Sequence, residues 1–225
     1  MEGFIQTFEK CFIKDDRYKL LLDGIGVTIK VSLLAVLIGI IIGLIIALCN
    51  LSKNKGLNIL GKIYTDVIRG TPSVTQLMII YFVVFATVNW EKWIIAAIAF
   101  GINSGAYVSE IIRAGIMSID KGQTEAGRSL GLGGAQTMIF IVIPQAVKNI
   151  FPALCNEFIV LIKETAIVGY VGLVDIQKAG DFIKSATFEA FMPLIATAII
   201  YFVLIKILTL AMARVEALLR KSENR

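Results

Sequence analysis

The sequence predicts an all-α integral membrane protein with five transmembrane helices, an N-terminal interfacial helix and one short helix in a cytoplasmic loop. Three observations predict this. Hydrophobic residues make up 57% of the 225 residues, and the mean hydropathy is +0.80, a balance that membrane proteins reach and soluble domains rarely do. Residues 31–52 carry no charge, and about 20 apolar residues suffice to cross a hydrocarbon core as a helix. The basic residues fall in the connections between such runs, as a membrane topology requires.

The same composition excludes several function classes. The formal charge of +5 is spread along the chain and forms no nucleic-acid-binding patch. Cys11, Cys49 and Cys155 are far apart and the chain has no histidine, which removes the usual zinc site, the Ser-His or Cys-His nucleophile pair and a disulfide framework. No phosphate-binding loop is present, since Gly61-Lys62-Ile63 is the nearest approach and lacks the pattern. If ATP is used, another chain binds it.

Each element follows in order. Residues 1–23 lack the layout of a signal peptide. Phe4, Phe8 and Phe12 recur every four residues among Glu2, Glu9, Lys10 and Lys14. That predicts an amphipathic helix resting on the membrane surface, with a frayed terminus as the alternative. The first span is expected over about 24–49. Its Ala35, Gly39, Gly43 and Ala47 form a smooth stripe for close helix packing, within this chain or against a partner subunit. Residues 50–69 read as a polar connection with Lys53, Lys55, Lys62 and Arg69 against Asp66, hence cytoplasmic. The second span starts near Ile59 or Ile63 and runs to Val88, with Arg69-Gly70-Thr71-Pro72 in its first half. Proline and glycine there predict either a simple kink or a broken helix lining a cavity.

Trp90 and Trp93 mark a membrane interface, and the third span follows from Trp93 to about Arg113. Asn103, Tyr107 and Glu110 share one face of it, a stripe that packs against protein or lines a substrate pathway. Glu110 and Arg113 are spaced as a structural ion pair. The fourth span, about 151–174, carries Asn156, Glu157, Lys163 and Glu164. Ionisable groups at membrane depth are costly and point to function. A zwitterionic solute would need an acid for its cationic group and a donor for its anionic one. Glu157, Glu164, Lys163 and the hydroxyls of Thr71 and Thr165 suit it. Residues 175–189 read as an external connection, and the fifth span covers about 190–212, followed by a basic tail, 213–225. The loops thread the chain with its N-terminus outside and its C-terminus in the cytoplasm.

One polar stretch, 122–152, separates the hydrophobic halves. Gln123 to Leu130 predicts a short helix, stopped by Gly131, Gly133 and Gly134, with a second helical run beyond it and a kink at Pro144. Glu125, Ala126 and Gly127 are followed by Arg128, Ser129, Leu130 and Gly131, and then by Ile141, Val142, Ile143 and Pro144. This spacing resembles the EAA loop of the membrane subunits of ATP-binding-cassette importers, with Gly127 in place of the second alanine and Ile143 in place of leucine. The segments 69–77 and 156–165 resemble the polar amino-acid group of these permeases, although Ala166 stands where that group often has serine.

The resemblance implies the type I importer fold, a transmembrane permease domain over 24–212 with the EAA-like loop at 118–150, and residues 125–131 as the coupling helix contact to an ATPase. It implies a polar or basic amino acid of the histidine, arginine or glutamine type as substrate, touched by Thr71, Asn103, Tyr107, Asn156, Glu157, Lys163 and Glu164. No cofactor is expected on this chain, while ATP and Mg belong to the partner ATPase. Further partners are a second permease subunit, identical or a paralogue, an extracytoplasmic solute-binding protein and the bilayer of a bacterial inner membrane. The competing reading is a gradient-driven secondary transporter or channel, which the charged fourth span also fits.

Overall fold

The computed structural model describes residues 2–221 and, over them, consists of helices and short connections without strands. Residues 222–225, including Arg225 of the expected basic tail, lie outside the described residues. The chain starts with α1 (Glu2–Phe8), which passes through a π turn at Glu9–Ile13 and a 3-10 turn at Lys14–Asp16. The aromatic stripe expected to lie on the membrane divides here. Phe4 and Phe8 stay exposed, whereas Cys11 and Phe12 are buried against residues near the other end of the chain.

The first span, α2 (Tyr18–Leu51), begins several residues before the expected position and has 34 residues. Nothing in 18–24 stops a helix. Gly24 is instead used for contact, since a Cβ there would lie 2.7 Å from the backbone of Asp175. The small-residue stripe packs within the chain, on α5 (Lys92–Met117). A Cβ on Gly39 would stand 3.0 Å from Ser104, and one on Gly43 2.5 Å from Val108. The fit is reciprocal, as Gly101 and Gly105 receive Ile38 and Ile42. Close backbone approach of this kind holds helices together in lipid, where apolar burial alone supplies little.

The expected polar connection over 50–69 is mostly helical, as α3 (Lys55–Arg69). Asn54 caps it by accepting from the Gly56 amide at 2.9 Å. After a break at Gly70 and Pro72 comes α4 (Ser73–Ile79), continued by a π turn at Ile80–Val84. The two arms meet at 104°, so the second span is broken rather than kinked. At about 1.5 Å per residue neither arm alone crosses a core of about 30 Å. Among the described residues four helices are long and apolar enough to cross a membrane, or five when the bent pair counts as one span.

After α5, Asp120 caps α6 (Lys121–Ser129) by accepting from the Gly122 amide at 2.7 Å. The fourth span starts far earlier than the sequence implied. Helix α7 (Gly134–Thr137) runs through a π turn at Met138–Val142 into α8 (Ile143–Glu164) and ends in a 3-10 segment at Thr165–Val171. Pro144 directly follows the π turn inside this helical run, which continues through it. The connection expected to be external is a helix too, α9 (Ile176–Thr187). The buried Asp175 caps it, accepting from the Gln177 and Lys178 amides. Buried Ala179 and Ile183 seat α9 against Cys11, Phe12 and Leu21. The chain closes with α10 (Phe191–Lys221).

Candidate functional site

The break in the second span starts the site. In an unbroken helix the Ile68 carbonyl would accept from residue 72, but that residue is proline and has no N–H. The Gln76 side chain takes its place, with Nε2 donating to the Ile68 carbonyl at 2.7 Å, to Thr71 Oγ1 at 2.6 Å and to the Thr71 carbonyl at 3.2 Å. Thr71 Oγ1 itself donates to the Val67 carbonyl at 2.9 Å. Gln76 Oε1 accepts from Asn103 Nδ2 at 2.8 Å. Its neighbour Ser104 turns the other way and donates to Glu157 Oε1 on α8 at 2.8 Å. Gln76, Asn103, Ser104 and Glu157 are all buried. Three helical segments are thus joined through one polar step on α5.

A cavity of about 600 Å³ lies beside this step, lined by Arg69, Tyr107, Glu110, Glu157, Ser118 and Asn149 among others. The Arg69 guanidinium lies 5.4 Å from the centre of the Tyr107 ring, within cation–π range. Glu110 is paired with Arg113 at 2.8 Å, as the i, i+3 spacing predicted. A second cavity, of about 480 Å³, adjoins through Arg69 and Glu110 and is lined by Lys62, Asp66 and Arg113. Among the described residues Glu157 joins no ion pair, so its partner is the Ser104 hydroxyl.

Of the expected substrate residues, Tyr107 and Glu157 line the first cavity, and Thr71 and Asn103 join the hydrogen-bonded step beside it. Asn156 and Lys163 do not meet them, being exposed on the other face of α8. Glu164 is half-buried two turns beyond Glu157, and the Thr165 hydroxyl is spent on the Ile162 carbonyl at 2.7 Å. Sequence reasoning missed Gln76 and undervalued Arg69. Gln76 is the only strongly polar residue in the run 74–84, and a lone amide four residues after a span-breaking proline was the available signal.

The residues of the EAA-like loop form a separate surface. Glu125, Ala126, Arg128, Ser129, Leu130 and Gly131 are exposed, with Leu130 82% exposed. Gly127 is buried beneath them, and a Cβ there would stand 2.7–2.8 Å from Ile141 and Thr137. That contact explains glycine in the second alanine position. Gly131 has φ +85°, a left-handed conformation that closes α6 and turns the chain toward α7.

Residues 39–221 match the family described as the binding-protein-dependent transport system inner membrane component. The chain belongs to this family. It is a multi-pass membrane permease component and not itself an enzyme, and gradient-driven transport gives way as the reading of the charged fourth span. The putative glutamine transport system permease protein GlnP of Rickettsia conorii is 40% identical over 210 residues, 92% of this chain and 93% of that relative. The arginine transport system permease protein ArtQ of Bacillus subtilis is 42% identical over 205 residues, 90% and 94% of the two chains. A solved amino acid ABC transporter with histidines superposes with a TM-score of 0.83 at 43% identity, covering 92% of this chain and 97% of that one. The MetNI methionine ABC transporter, at 18% identity and a TM-score of 0.77, shares the fold.

Proposed function

We propose that this permease carries a polar or basic amino acid inward through the cavity beside Glu157, driven by ATP hydrolysed on separate ATPase subunits. The observation that carries the reading is one cavity holding both the Arg69 guanidinium and a Glu157 carboxylate that has no cationic partner among the described residues. An ammonium group meets the acid and a carboxylate meets the guanidinium. The names of the relatives, glutamine and arginine permeases, support this substrate class. Thr71, Asn103 and Tyr107 complete the proposed surface. Asn156, Lys163 and Glu164 join it only where a second permease subunit, identical or a paralogue, closes over α8.

Coupling is proposed through α6. ATP and Mg bound to the ATPase pair close it, and the exposed residues from Glu125 to Gly131 transmit the closure to the spans. ATP favours one state only through differential contacts of this kind. The positive connections support α6 and the C-terminus in the cytoplasm and the N-terminus and α9 outside, where a solute-binding protein delivers the substrate.

The test is uptake in proteoliposomes holding the permease, its ATPase and its binding protein, with ion gradients clamped and a panel of amino acids outside. ATP-dependent uptake of one or a few polar amino acids is expected. Uptake that ignores ATP and follows an ion gradient overturns the reading.

A further inference from the structure

We propose that Gln76 is a positioning residue that sets the angle of the broken second span and, through Asn103 and Ser104, the placement of Glu157 in the cavity. The consequence for substrate rests on the amino-acid reading above; the consequence for the helix angle does not. The argument begins with the backbone. Pro72 strips the Ile68 carbonyl of its helical donor, and a bare carbonyl inside a membrane protein costs a hydrogen bond that no lipid supplies. Gln76 Nε2 fills that place at 2.7 Å and holds Thr71 Oγ1 at 2.6 Å. Ile68 lies on the far side of the break from Gln76, and Thr71 lies within it. The side chain therefore ties α3 to α4 at their 104° angle.

The other end of the same amide faces α5. Asn103 donates to Gln76 Oε1, and the adjacent Ser104 donates to Glu157 Oε1, each at 2.8 Å. Ser104 is also pinned from behind, because Gly39 of α2 leaves only 3.0 Å for a Cβ against it. The α5 backbone between Asn103 and Ser104 cannot shift without disturbing one bond or the other. A change at the break is thus passed to the acid on α8. Buried polar chains of this sort are strong while complete and costly when one member is lost.

The measurement uses the permease assembled with its ATPase in lipid nanodiscs, with Cys11, Cys49 and Cys155 replaced by alanine. Spin labels are placed in one copy at Leu60→Cys and Val83→Cys, both exposed positions on the two arms. Gln76→Met keeps length and volume and removes every polar contact. We expect the distance between the labels to move by about 2 Å or more, the displacement of a ten-residue arm turned by about 10° at about 1.5 Å per residue. Gln76→Glu keeps an acceptor for Asn103 and drops the donors, and the same shift is expected in it. Ser104→Ala leaves the break intact, so the distance stays while the KM for amino acid uptake rises about tenfold, as the loss of one buried charged hydrogen bond implies. Gln76→Met raises the same KM. A wild-type distance distribution in both Gln76 variants overturns the proposal, and so does a wild-type KM in Ser104→Ala together with Gln76→Met. The distance readout needs neither substrate nor ATP, so its failure is distinct from failure of the importer reading.

Discussion

Helix α5 packs its two sides by opposite means. Toward α2 it offers Gly101 and Gly105 to Ile38 and Ile42, while Val108 meets Gly43. Toward α4 and α8 it offers Asn103 and Ser104 to Gln76 and Glu157, and toward the end of α3 it offers Tyr107 to Arg69. The first side is filled by backbone approach and leaves no room. The second is tied by a few directional bonds and borders a cavity. Lipid gives neither side a hydrophobic drive to associate, so the permease has one seam made rigid by shape and one made selective by polarity. The proposed substrate pathway lies along the second, because directional bonds can be exchanged for ligand contacts and interlocked backbones cannot.

The largest expected effect attacks the shape seam. Gly43→Leu puts atoms where a Cβ alone meets Val108 at 2.5 Å, an overpacking cost of about 3 kcal/mol. Loss of monodisperse, extractable protein is the outcome to look for by size-exclusion chromatography. A normal yield would mean that α2 and α5 are not locked.

The polar seam should break differently. Glu157→Gln still accepts from Ser104 and so keeps the fold, but it removes the charge proposed to meet an ammonium group. Uptake should fall at least about tenfold, the effect of one charged hydrogen bond, with protein yield unchanged. Uptake kinetics beside a yield measurement decide it. Remote from both seams, Gly131→Asp tests the coupling surface. Its φ of +85° costs a side chain only about 1 kcal/mol, and nothing stands within 4 Å of the new Cβ. Transport should therefore vanish while the protein stays in the membrane, and normal uptake by the variant would remove the coupling role from this surface.

Smaller effects sharpen the contrast. Arg113→Met leaves Glu110 without its partner. With side chains 28–35% exposed, solvent screening limits the loss to about 1 kcal/mol, read as a fall in Tm of about 2–4 °C for a chain of this size. At the start of α9, burial pushes the Asp175 carboxyl above its usual range against the opposing pull of the Lys178 amide and the Tyr201 hydroxyl. A raised folded-state value means that its contribution is full below about pH 4, the unfolded value, and is lost as pH rises through the folded value. Thermal unfolding of wild type across that range should show this slope, and Asp175→Asn should flatten it.

The hydrophobic spans were legible because a charge-free run has few other uses, and the short helix before Gly131 because three glycines and the EAA-like spacing mark its end, whereas its Asp120 cap was not read from the sequence. The Glu110–Arg113 pair was legible because both residues lie on one helix. The helix over 55–69 was hidden by its own lysines, which read as a loop, and the early start of the fourth span by the polar residues of 134–150. Gln76 escaped notice because its partners, Ile68 and Asn103, are set by a bend and by another helix.

By itself the sequence determined the class, the approximate spans, the family and the short helix that ends at Gly131, since all of these rest on composition, periodicity and local spacing. Only the tertiary structure decided which polar residues meet. Asn156 and Glu157 are neighbours in sequence, yet one is exposed and the other buried on Ser104. The difference is set by which face of α8 is turned toward α5, and that depends on the packing of several helices at once, which no single stretch of chain encodes.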